Sequence, residues 1–323
     1  MKQQAFEQQH STQWKQLELL LTDLEQHKHD NTNNTDFPEL YRKVCHHFAL
    51  AKDRQYSPHL VNSLHRLVLR GHQQLYHQRK PFLSQMIRFL LQDFPVSLRR
   101  EAKLFWLSTS LFLLPALIMG ILCYHNGDFI YSIHNAMDVA QIESMYDPAN
   151  DAIGRDRQSD TDFKMFGYYI YNNIGVGFRT FASGLLYGIG TVVVLINNGV
   201  FIGSVAGHLT QLEFTETFWP FVSGHGAFEL TAIVISGAAG LQLARALYSP
   251  GRLGRIPALK QAASKAVLLV IGATLMLLIA AFIEAFWSSS STLSSTTKYS
   301  VAAVLWLLVI AYFVFAGRGH GPR

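Results

Sequence analysis

Residues 104–124 read LFWLSTSLFLLPALIMGILCY, twenty-one positions without a charged side chain. A helix rises 1.5 Å per residue, so about 20 apolar residues cross the roughly 30 Å hydrocarbon core of a bilayer. This stretch therefore selects lipid as the solvent for part of the chain. In lipid every backbone N–H and C=O must be paired within its own segment, and a run of this kind meets that demand as a helix.

Five more stretches pass the same test of length. The run 166–208 is apolar apart from Arg179 and holds two crossings, 166–181 and 184–208, with a tight turn expected near Arg179 to Gly184. Residues 226–247, 264–287 and 299–316 complete a set of about six. The first hundred residues are polar by contrast, and only 15% of the whole chain is charged, against roughly 25% in soluble domains. The fold class expected is all-α: a polytopic membrane domain over 101–323 preceded by a cytoplasmic helical bundle over 1–100.

Lys and Arg accumulate in short cytoplasmic loops. Arg99, Arg100 and Lys103 precede the first span, Arg245, Arg252, Arg255, Lys260 and Lys265 lie where the fourth meets the fifth, and Arg318 and Arg323 follow the sixth. Loop 125–165 carries eight acids against Arg155, Arg157 and Lys164, which places it outside the cytoplasm, its acids read as solvated. Both termini are then cytoplasmic. The start MKQQAFEQQHSTQWKQ has no apolar core of a cleavable leader, so the first span is expected to serve as the insertion signal. Cys45 and Cys123 fall on opposite sides of this membrane and form no disulfide. A net charge of +5 without basic runs interleaved with aromatics fits anionic lipid head groups and excludes nucleic acid as a partner.

Period-3.6 stripes mark helices in the first hundred residues. Phe6, Trp14, Leu17, Leu21 and Leu24 form one; Leu40, Tyr41, Val44, Phe48 and Ala51 a second, with Pro38 in its first turn; Leu60, Val61, Leu64, Leu67, Val68 and Leu75 a third. A fourth segment, 82–94, suits either the membrane interface or packing on the bundle. Nine histidines lie between His10 and His77 without metal spacing and read as solvated surface.

Small residues four apart let helix backbones approach. Gly199, Gly203 and Gly207 form such a ridge; Gly184 with Gly188, Gly240 between Ser236 and Ala244, and Gly226 beside His225 are counted with it. Packing inside one chain is the favoured reading, and a homo-oligomer, a dimer being the simplest, is the other. Polar groups at membrane depth are costly and face a partner or a wet cavity. Here they are Asn172, Asn173, Arg179, Asn197, Asn198, His225, Glu229 and Glu284. Either Glu284 pairs with Arg179 or His225 and the cluster locks helices, with the turn of asparagines around Asn197 meeting His225 and Glu229, or it binds an ion, a proton or a substrate head group. The lock is the reading adopted.

The segments NNIGVGFRTFASGLLYGIGTVVVLINNGVFIG, HGAFELTAIVISGAAGLQLARAL and IAAFIEAF together resemble the stage II sporulation protein M family of bacterial membrane proteins. The resemblance covers almost the whole chain, the first hundred residues looking like the cytoplasmic extension of its longer members. It implies motif positions His225, Gly226, Glu229, Glu284, Asn172 and Asn173, and a multi-pass protein of the bacterial cytoplasmic membrane. The family's namesake is a scaffold for two peptidoglycan-degrading enzymes, which implies protein partners here, either cell-envelope enzymes or a cytoplasmic partner of the bundle.

No cofactor and no catalytic residues are expected. His225, Glu229 and Glu284 are weak candidates for a metal, since three protein ligands would suffice for a catalytic zinc. H-x-x-x-E, however, lacks the second histidine and the adjacent glutamate of H-E-x-x-H. An intramembrane metallohydrolase thus ranks below a transporter or channel for a small solute, ion or lipid, and both rank below a scaffold.

Overall fold

The computed structural model of the chain describes residues 2–26, 37–76, 82–149, 161–290 and 293–318, and among these there is no strand. The polar loop 29–36 and residues 150–160 of the acidic loop lie outside the described residues. The chain divides into two compact units, Met1–Gln85 and Met86–Arg323.

The first unit holds α1 (Gln3–Gln26), α2 (Phe37–Asp53) and α3 (Pro58–Tyr76). Their stripes face inward as the period required: Leu17 and Leu21, Val44 and Ala51, and Leu64 are all but inaccessible. Pro58 opens α3, where a missing N–H costs nothing. Gln3 ties the start of α1 to the turn before α3, donating to Ser57 Oγ at 2.9 Å and accepting from Ser57 N at 3.0 Å. Arg70 grips Glu25 with both Nε and Nη2, at 2.9 and 2.8 Å. One histidine departs from the solvated expectation. His47 is 6% exposed, its Nδ1 accepts from the Trp14 indole at 3.2 Å, and its ring stacks on His10 at 4.0 Å. Position 47 shares the inner face with Val44 and Ala51, and helical geometry rather than residue type decides its burial.

The chain continues with α4 (Phe82–Arg88), a π-helical turn at Phe89–Asp93, α5 (Phe94–Arg100), α6 (Ala102–His125), α7 (Ala136–Tyr146), α8 (Thr161–Ala182), α9 (Ile189–Gln211), α10 (Thr215–Tyr248), α11 (Arg255–Phe282), a π-helical continuation at Ile283–Ser288, and α12 (Ser295–Phe315). The boundary between units falls inside α4, ahead of residue 100, because Phe94 and Leu98 belong to the core of the second unit with Leu243, Leu269 and Leu277. Segment 82–94 is accordingly split in character: Phe82 and Leu83 stay exposed while Phe94 is buried against Gly272. Arg99 fastens α5 to the end of α12, donating to Phe313 O at 2.7 Å and Ala316 O at 2.6 Å, carbonyls that the last helical turn leaves unpaired.

Among the described residues, five helices are long and apolar enough to cross a membrane: α6, α9, α10, α11 with its continuation, and α12. The sixth expected span, 166–181, is helical as α8 and packs on α10 and α11. Asn172, Asn173 and Arg179 keep it short of the apolarity of the others. The turn after it lies later than expected. Residues Ser183–Leu185 form a 3₁₀ turn, and Tyr187 and Gly188 both take positive φ, 52° and 78°, a reversal that glycine at 188 allows without strain.

At the centre stands α10, with 78% of its apolar stretch buried against 17% for α6 and for α12. It packs on α6, α8, α9, α11 and α12. Lipid tails are as apolar as side chains, so close backbone approach, not transfer from water, holds such helices together. The glycine ridges supply that approach. A Cβ at Gly199, Gly203 or Gly207 would collide with the α6 carbonyls of Phe112, Ala116 and Gly120 in turn. Gly184 meets the Gly240 backbone, and a Cβ at Gly188 would lie 2.7 Å from Ala244 Cβ, so the two lesser ridges pack on each other. Gly226 has no such role: a Cβ there would meet nothing nearer than Leu230 Cδ1 at 3.9 Å.

Candidate functional site

His225 and Glu229 sit one turn apart on α10, with Nε2 and Oε2 separated by 3.9 Å. Ligand atoms of His225, Glu229 and Glu284 all lie within 4.8 Å of one another, although Glu284 comes from the π-helical continuation of α11. π turns inside α-helices are frequent at functional sites, and this one also brings in Ser288, wholly buried, whose Oγ is 3.0 Å from His225 Nδ1. From α8, Asn173 is 3% exposed and donates to Glu284 Oε2 at 3.4 Å; Asn172 Nδ2 donates to Asn173 Oδ1 at 3.1 Å. Lys298 is buried too, its ammonium donating to Ser288 O at 2.8 Å.

Five of the eight polar residues singled out in the sequence therefore converge: Asn172, Asn173, His225, Glu229 and Glu284. The other three do not. Arg179 is exposed, and its Nε donates to Gly175 O of its own helix at 3.2 Å. Asn197 is exposed on α9, and Asn198 donates to Val194 O one turn back at 2.7 Å. The partner of His225 is Ser288 rather than the asparagine turn of α9. Ser288 and Lys298 carried no signal in a serine and threonine run, since nothing local to that run shows that it meets α10.

A cavity of about 680 Å³ lies beside this cluster, walled by α6, α9 and α10. Phe112, Leu117, Ile121, Phe201 and Leu230 make it apolar, and His225, Gly226 and Glu229 add polar wall. Leu117, Ile121 and Phe201 are each more than half exposed on the outer surface, so the cavity opens sideways.

A second polar group gathers on the C-terminal half of α9. His208 Nε2 and Glu143 Oε1 of α7 are 2.8 Å apart, and His134 Nε2 lies 2.9 Å from Ser204 Oγ. Burial pushes the His134 imidazole below its ordinary pKa, Asp138 opposing and His208 reinforcing the shift. Glu143 is thus a docking contact and not one of the solvated loop acids. These contacts pin α7 to α9, and only the tertiary fold reveals them.

The family model described as Stage II sporulation protein M matches residues 109–289, a range that takes in every converging residue from Asn172 to Ser288. A second model, a domain of unknown function (DUF8413), matches residues 4–77, the span of α1 to α3. Searches of the curated proteins and of the solved structures give no match.

Proposed function

We propose that this chain, which belongs to the stage II sporulation protein M family, is a multi-pass scaffold of the bacterial cytoplasmic membrane that gathers protein partners. The observation carrying the reading is the sideways-opening apolar cavity between α6, α9 and α10. Its apolar wall suits the large side chains of a partner's transmembrane helix, and the closely packed α6 and α9 pair frames the groove. Partners of the cell envelope are expected on the side of the acidic loop, and a cytoplasmic partner on the α1 to α3 bundle. The Lys and Arg bias supports termini on the cytoplasmic side with α8 as the sixth crossing.

A second reading, passage or binding of a small solute, ion or lipid, draws on one observation: His225 and Glu229 face the same cavity. Photo-crosslinking residues placed at Leu117, Ile121 or Phe201 separate the two in native membranes. Discrete protein adducts are the expected result. Lipid adducts alone, with solute flux in liposomes, would replace the scaffold by a carrier.

A further inference from the structure

We propose that His225, Glu229 and Glu284 bind one divalent metal ion, zinc being the ion their chemistry suits best. The proposal goes beyond the scaffold reading and does not depend on it.

Two carboxylates and an imidazole, drawn from two helices, are gathered where charge is costly. Glu229 and Glu284 repel each other at this separation, and in a membrane unit such a pair is held by a proton or a cation. A divalent ion with a neutral imidazole balances two carboxylates.

The surrounding bonds orient the donors. With His225 Nδ1 donating to Ser288 Oγ, its Nε2 lone pair is left on the side of Glu229. Asn173 fixes Glu284 through Oε2 and is itself held by Asn172. A partner for the second imidazole nitrogen and one for a ligating carboxylate, as Ser288 and Asn173 provide for His225 and Glu284, is the usual outer support of metal ligands. Three atoms mutually within 4.8 Å leave a point no more than about 2.8 Å from each, against zinc bonds of about 2.0–2.2 Å to nitrogen and oxygen. Small side-chain rotations close that gap. Two of the three ligands also line the cavity, which gives an ion a way in. One nitrogen and two oxygens favour zinc, since magnesium prefers oxygens and retains its waters.

The test uses the full chain purified in detergent without chelator. About one zinc per chain is expected by elemental analysis. Chelator-stripped protein should regain melting temperature when zinc chloride, but not magnesium chloride, is added, and cobalt(II) should give visible ligand-field bands. His225→Ala and Glu284→Gln should lose the zinc, Glu143→Gln should keep it, and Ser288→Ala should weaken zinc binding about 10–100-fold. Should the ligand variants fail to fold, the wild-type titration decides. A stripped wild type that melts identically with and without zinc and shows no cobalt bands would overturn the proposal, as would full zinc occupancy in folded Glu284→Gln.

Discussion

A histidine whose Nδ1 already accepts a hydrogen bond has no lone pair left there for a proton. His47 is so placed by the Trp14 indole, and burial, with His10 and His46 beside it, pushes its pKa down to about 4. In the unfolded chain it titrates near 6.5. The unfolded state therefore takes up the proton first as pH falls, and the contribution of His47 to stability is complete above about pH 6.5 and lost on the way down to 4. Between pH 7 and pH 5 the bundle should lose about 2 kcal/mol, read as weaker hydrogen-exchange protection of α1 to α3 after correction for intrinsic rates. His47→Gln should remove that dependence. Equal protection at both pH values in the wild type would show that the ring is solvated after all. The same scale sets what the sequence could reveal of the site. The spacing of His225 and Glu229 puts both on one helical face and was legible at once. Glu284, Ser288 and Asn173 join them only through the packing of three helices, which no local pattern encodes.

Helix by helix, apolar length made α6, α9, α10, α11 and α12 legible, because a long uncharged run has few alternatives in lipid. Their ends were less so: α10 begins at Thr215 and α11 at Arg255, well before the apolar windows at 226 and 264. The glycine pattern announced close packing but not its partner, which proves to be α6 for the longest ridge. Gly203→Leu forces four added carbons toward the Ala116 carbonyl and should cost at least about 3 kcal/mol, seen as loss of folded protein on size exclusion in detergent. Gly226→Ala should be neutral or stabilising by up to about 1 kcal/mol, because the new methyl meets Leu230 only at ordinary van der Waals distance and alanine favours the helix. Equal tolerance of both would mean that α6 and α9 do not meet through the ridge.

For the whole molecule the pivotal helix is α8, which supplies Asn172 and Asn173 to the cluster yet is the least apolar of the six. Its polar residues hold it below the apolarity of the five long spans, and its packing on α10 and α11 is the contact on which the proposed sixth crossing rests. If α8 crosses, six passages leave the loop before it and the loop between α10 and α11 on opposite faces; if it does not, five passages put both loops on the same face. The decisive measurement is labelling by an impermeant maleimide of single cysteines at Met137 and at Leu253, in a chain with Cys45 and Cys123 replaced. In intact spheroplasts Met137→Cys should react and Leu253→Cys should react only after lysis. Reaction of both in intact spheroplasts, or of Met137→Cys only after lysis, would contradict the six-crossing arrangement.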